Sequence, residues 1–355
     1  MRSLKYIFFF FLALIIGASV YVATLDGSYN ISVSRAMKVP AEVIFKNVNN
    51  YKNWELWNPW QELDKTTVTS YPQQTSGVGA SFTWTGIGGL GSVKTISTTP
   101  NQALIQEIDL RKERKSEMYW ELLKFNDSTK VTWGIRGNNN FSEKINWLLK
   151  GDVEIDIAQK LTRGLELLNE AVLKEMDVYS IDYKGVVDYG GGYYLYQTVA
   201  CKNEDAPIKM TKMFSAITSY MTANQLSASG KPFTLNHQID TVNGTVLFSA
   251  CVPVRERIIT EGDVLTGYLE PVTAYKIIFK GNYKFLPASW PNFYKNLEND
   301  GHISVEKGQS FEVYTINPND NLNPAAWLTE IYIPIKTDEV LEDTTIQNQP
   351  PVLNE

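Results

Sequence analysis

The chain opens on one uninterrupted apolar run, continues as a long series of alternating segments, and ends polar. Residues 6–25 carry no charge, and about 20 such residues are enough to cross a bilayer as a helix. Arg2 and Lys5 precede the run and Asp26 follows it, so the charge bias places the start of the chain in the cytoplasm and the body outside it. The pattern predicts an uncleaved transmembrane anchor over 1–27, in a single-pass protein of the cell membrane. The alternative is a signal peptide whose cleavage secretes the body. Tyr21-Val22-Ala23 argues against cleavage by placing a bulky ring where a small residue is wanted, and Gly17-Ala18-Ser19 is a poorer but usable cut site.

From 28 to 178 the pattern predicts a first folded domain. Alternation marks strands at 29–37, 66–71, 80–85, 92–98, 103–110, 116–123 and 130–135. Pro40 opens a short helix through Val43, Ile44 and Val48, because proline at the first turn loses no hydrogen bond. A long helix over 155–176 closes the domain, with Ile157, Leu161, Leu165, Leu168 and Val172 recurring at helical spacing. This order is α+β, of the helix-grip kind. Val39-Pro40-Ala41-Glu42-Val43-Ile44-Phe45, the tryptophans Trp54, Trp57 and Trp60 around Asn58-Pro59, and the closing helix resemble the START-like (SRPBCC, polyketide-cyclase-like) superfamily. The resemblance implies an apolar ligand held between sheet and helix. The three tryptophans either line that cavity or pack the helix onto the sheet.

From 179 to 336 one order occurs twice: strand (185–201, then 264–279), helix (from Pro207, then 290–297), and two strands (233–240 and 245–252, then 310–316 and 327–335). The repetition predicts a pseudo-twofold pair of small sheets with a groove between them, a frequent place for a small ligand. On the last strand, Trp327, Thr329, Ile331, Ile333 and Ile335 share one face while Leu328, Glu330 and Tyr332 share the other. Glu330 is either a solvated residue on the outer side of the sheet or a deliberate charge in an aromatic cavity. Residues 337–355 are polar and acidic without periodicity, which predicts a disordered tail.

The closing strand Trp327-Leu328-Thr329-Glu330-Ile331-Tyr332-Ile333-Pro334-Ile335 and the opening Tyr189-Gly190-Gly191-Gly192-Tyr193-Tyr194 resemble the GyrI-like effector-binding domain, which also serves as the drug-sensing module of AraC- and MerR-type regulators. The resemblance implies that Glu330 lies on the floor of a cavity that meets lipophilic cations. Aromatic neighbours for it are sought at Tyr193, Tyr194, Tyr314, Trp327 and Tyr332; ring faces attract a cation and one carboxylate neutralises it. Trp327 joins Tyr332 in one pocket only if the strand bends there.

Composition removes several classes of function. A formal net charge of −6 with no basic stripe disfavours nucleic acid as a partner, since that affinity rests on phosphate neutralisation. Two histidines, His237 and His302, and two distant cysteines, Cys201 and Cys251, provide no metal spacing and no triad. The thiols are expected to be free unless their strands pair. Gly86-Ile87-Gly88-Gly89-Leu90-Gly91 matches a dinucleotide fingerprint by letter only, because a β-branched alternating segment follows where a helix is required; it predicts a hairpin loop, which can also serve as a lip over a cavity. No cofactor is implied. The leading expectation is a membrane-anchored sensor or scavenger of small amphipathic molecules. The others are a hydrolase of small electrophiles with Glu330 as base, and a structural protein of the cell envelope.

Overall fold

A computed structural model describes residues 2–86, 89–110, 115–240, 242–305 and 309–336. The expected tail, 337–355, lies outside the described residues. The chain divides into two compact units, one running to Val178 and the other beginning at Tyr179. Both are α+β with antiparallel sheets.

The first unit starts with helix α1 (Arg2–Thr24) and strand β1 (Ser28–Met37). Helices α2 (Ala41–Asn49) and α3 (Pro59–Leu63) follow, then strands β2 (Val68–Ser70), β3 (Ser81–Gly86), β4 (Gly89–Thr99), β5 (Ala103–Asp109), β6 (Ser116–Phe125) and β7 (Ser128–Asn138). Helices α4 (Phe141–Lys150) and α5 (Val153–Met176) complete it. The sheet order β1-β7-β6-β5-β4-β3-β2 is a meander closed by β1 returning beside β7. β3 and β4 form the hairpin expected of the glycine-rich segment, with Gly86 opposite Gly89. The stripe on α5 is buried as its spacing requires, at Leu161, Leu165, Leu168 and Val172. The helix α4 was not anticipated, although Asn140 caps it and Glu143 returns the bond in a full capping box.

The core of this unit is built on indole rings. Trp133 and Trp120 stack at 4.4 Å, and Trp54, Trp57 and Trp60 each meet Trp133 edge-on at 5.7–6.2 Å. Gly164 lets α5 approach this stack: a Cβ there would lie 2.4 Å from Trp133 Cζ3 and 3.0 Å from Pro59 Cγ. Alanine is the better helix former by about 1 kcal/mol. Gly164→Ala should nevertheless destabilise the unit by about 1–3 kcal/mol through overpacking, read as a lower midpoint in urea.

The second unit contains β8 (Ser180–Tyr189), β9 (Gly192–Lys202), α6 (Ala206–Ala223), β10 (Phe233–Asp240) and β11 (Thr245–Pro253). It continues with β12 (Leu265–Leu269), β13 (Val272–Lys280), α7 (Leu286–Asn299), β14 (Phe311–Ile316) and β15 (Leu328–Pro334). Two corrections to the expected outline arise here. Segments 185–201 and 264–279 are each two strands that do not pair with one another, not single strands; the first breaks at Gly191, which has φ +65° and no room for a Cβ against Leu269 O at 2.0 Å. The two halves are also not separate sheets. They continue across the β10–β14 pairing into one eight-stranded sheet, in the order β12-β9-β11-β10-β14-β15-β13-β8. Exchanging equivalent strands of the halves reverses this order onto itself, so the pseudo-twofold relation is present. The leading strand of each half lies on the other half: β8 pairs with β13, and β12 with β9.

The helices α6 and α7 pack on one face of this sheet. α7 buries Trp290, Phe293 and Leu297 against Tyr275, Ile277, Phe279, Ile331 and Ile333, and α6 buries Met213 and Ile217 against Leu195, Phe248 and Ala250. The opposite face carries a separate aromatic cluster around Phe233, Phe311 and Tyr332. Cys201 and Cys251 are free. Their strands do pair, but Cys201 sits opposite Val246 and Cys251 opposite Tyr196, on opposite faces of the sheet, so no bond can form between them.

Candidate functional site

Strand parity sorts the residues around Glu330. β15 is regular from Leu328, so Glu330 and Tyr332 project together onto the face away from the helices, while Thr329, Ile331 and Ile333 face α7. Glu330 retains 24% of its side-chain exposure. Its Oε2 accepts a hydrogen bond from the Tyr332 hydroxyl at 2.6 Å and lies 3.0 Å from Lys276 Nζ. Lys276 is opposite Tyr332 on β13, and its ammonium stands 5.3 Å from the centre of the Tyr332 ring. The carboxylate is therefore not alone: it has a counter-ion that is also a cation held over an aromatic ring. Both contacts fall on one oxygen.

The rings on this face form a continuous patch. Phe311 stacks on Tyr332 at 4.8 Å, and Tyr189 meets both at 4.8 and 4.9 Å. Tyr194 meets Phe233 at 5.3 Å and Tyr196 at 5.6 Å. Gly267, opposite Tyr194, makes space for it: a Cβ there would lie 2.4 Å from the Tyr194 ring. Burial pushes the Tyr194 hydroxyl up to about 12, and burial with the charge of Glu330 raises Tyr189. Tyr332 is raised by burial first, then by its bond to Glu330. All three are neutral donors at physiological pH.

Of the residues sought around Glu330, the structure brings Tyr332 and Tyr194 to its face and places three on the other. Tyr193 points towards the α6 side and pairs with Tyr268 at 4.8 Å. Trp327 precedes β15 and packs on Tyr283 at 4.6 Å, its indole N–H donating to the Asn321 carbonyl. Tyr314 is buried beside Met210 and donates to Glu312 Oε2 at 2.9 Å. The physical reason is the two-residue period: neighbours in sequence leave a strand on opposite sides. Lys276, Tyr189, Tyr196 and Phe311 were missed. The charge in the middle of β13, with the only other one at its last residue, Lys280, was the available signal for Lys276, since Ala274 and Ile278 flank it on the same face.

The buried partner of Tyr314 is a second feature absent from the sequence reading. Glu312 also accepts from Trp290 Nε1 at 3.0 Å, and Thr234, its neighbour across β10–β14, bonds the Tyr314 hydroxyl at 3.0 Å. Burial raises the Glu312 carboxyl above the usual glutamate range, and the bonds from Tyr314 and Trp290 oppose that rise.

The first unit holds a cavity of about 460 Å³, entirely within that unit. Trp54, Trp60, Phe82, Trp84 and Met118 supply its apolar wall, and Asn138, Asn139, Glu143 and Asn146 are polar residues around it. Gly86 lines it too, so the glycine hairpin does border a cavity. Trp57 does not line it; at 1% exposure it belongs to the indole core. Helix α3, which carries Trp60, is tied to α5 by Arg163 forking onto both oxygens of Glu62 at 2.7 and 2.9 Å.

Comparison with known proteins bears on the second unit. A family model described as GyrI-like small molecule binding domain matches residues 193–336, and that segment is a GyrI-like small-molecule binding domain. Among solved structures, the chain is similar to EcmrR in its complex with DNA (18% identity over 55% of this chain and 71% of that one, TM-score 0.39). It is similar to the C-terminal domain of EcmrR (19% identity, 45% and 98% covered, TM-score 0.39) and to the Aha1 dimer from Colwellia psychrerythraea (18%, 41% and 96%, TM-score 0.32). No curated protein matches the chain.

Proposed function

We propose that the protein is a membrane-anchored binding protein, a sensor or scavenger, for small amphipathic molecules, and that the Glu330 face receives the charged end of its ligand. The pairing that supports this most is Glu330 with Lys276 over the Tyr332 ring, inside a domain whose family binds small molecules. Lys276 rehearses the guest. A lipophilic cation that displaces its ammonium would inherit the carboxylate, the ring face and the neighbouring tyrosines at once. The partners of Glu330 are a hydroxyl and an ammonium, a set that suits binding better than base catalysis. In the first unit, the long helix, the antiparallel sheet and the cavity between Trp54, Trp60 and Phe82 support a START-like second module for an apolar guest. The unbroken apolar helix α1 supports the anchor: Leu4–Thr24 has a mean hydropathy of 2.4, and 21 residues span about 32 Å.

Titration of the full-length protein in detergent with tetraphenylphosphonium, read by calorimetry, tests this reading. Glu330→Gln should weaken binding by about tenfold, near 1.4 kcal/mol. Lys276→Gln should strengthen it by a comparable factor, about tenfold, because the internal competitor is gone. Equal affinity in both variants and the parent would remove the assignment.

A further inference from the structure

Helix α4 turns two different sides in two directions. With roughly 3.6 residues per turn, Glu143, Asn146, Trp147 and Lys150 share one side, and all four line the cavity of the first unit. Phe141, Ile145, Leu148 and Leu149 share the other side, and they are 44%, 36%, 52% and 82% exposed. Four large apolar side chains in one stripe on a ten-residue helix make a surface that water does not favour.

The neighbour of α4 identifies what covers it. Lys144 Nζ donates to the carbonyl of Leu25, the residue that follows α1. The Asn139 N–H donates to the Gly27 carbonyl at 2.8 Å. A Cβ on Gly27 would stand 2.5 Å from Asn139 O and 2.8 Å from Lys144 Cε, so the joint has no space for a methyl group. The exit of the apolar helix and the start of the amphipathic one are thus locked together.

We propose that α4 lies in the interfacial layer of the bilayer that α1 enters, with Phe141, Ile145, Leu148 and Leu149 in the acyl region, and that the adjoining cavity takes its guest from the membrane, not from water. The inference rests on the reading of α1 as membrane-embedded. Lys144 borders the stripe, and its ammonium is held at the Leu25 carbonyl, which keeps this edge of α4 at the level where α1 ends. The same helix supplies Trp147 and Asn146 to the cavity, so a molecule dissolved in the outer leaflet crosses one helix thickness to reach it. The guest implied is a membrane lipophile with a small polar end, which the asparagines near α4 can hydrogen-bond.

The test uses the full-length protein in phosphatidylcholine nanodiscs, in a Cys201→Ser background, with a bimane label at one engineered cysteine and a lipid carrying a nitroxide high on its acyl chain as quencher. Leu149→Cys reports α4 and Ile15→Cys reports α1. Leu123→Cys on β6 is the control; it is 57% exposed and sits opposite Lys130, about 26 Å along β7 from Asn138. Quenching at Leu149 should exceed that at Leu123 by at least about threefold, as expected for a side chain below the headgroups. Quenching at Ile15 with none above control at Leu149 overturns the docking of α4 and leaves the anchor in place. Absence of quenching at Ile15 removes the membrane reading itself, and the proposal with it.

Discussion

Trp133→Ala should destabilise the first unit by about 3–5 kcal/mol, the range for deleting a large ring from a core that cannot close over the gap. Trp133 is fully buried, stacks on Trp120, meets Trp54, Trp57 and Trp60 edge-on, and touches α5 at Gly164. No single neighbour can collapse into its place, because each is itself held by the others. Seven of the nine tryptophans lie before Val178, so the urea midpoint of the intrinsic fluorescence reports mainly on this unit. Trp133→Phe is the informative partner. It keeps a ring in the stack and removes an indole N–H that finds no acceptor among the described residues, so it should cost less than half as much. Equal losses in the two variants would show that the fit of the indole itself, and not the filling of the stack, holds the core.

Glu312→Ala should cost the second unit about 2–4 kcal/mol, since it leaves the Trp290 N–H and the Tyr314 hydroxyl without the acceptor they share. Glu312→Gln separates charge from shape. Burial makes the folded protein hold the Glu312 proton more tightly than the unfolded chain does, where the ordinary value is 4.5. Stability therefore falls as pH rises from 4.5 through the raised folded value, and the penalty is complete above it. Glu312→Gln lacks this component, so its stability relative to the parent should improve as pH rises across that window. Urea melts followed by circular dichroism from pH 4 to 9 measure it, with flat parallel curves as the contrary result.

Much of the arrangement could be read before any coordinates, and what could not has a common cause. The alternation over 327–335 correctly puts Glu330 with Tyr332 and sends Ile331 and Ile333 to the other side, because a strand has only two faces. The stripe of α5 is equally legible. Lys276 is not: its tie to Glu330 depends on β13 lying next to β15, and pairing between distant strands leaves no mark in local pattern. Tyr193 and Tyr314 were grouped with Glu330 because they are aromatic and nearby in the repeat, whereas parity places both on the helix side. The apolar stripe of α4 is exposed, so its residues form no buried core of the kind that local periodicity marks.

The exchanged leading strands of the second unit carry a consequence for how such a chain could arise and how it fails. Severed between β11 and β12, neither fragment would own a finished edge; each would present the very slot that its sibling's first strand fills. One polypeptide here does the work of two interlocked copies. Shortening the connection between them would not yield a smaller monomer but pairs of chains trading the same strands.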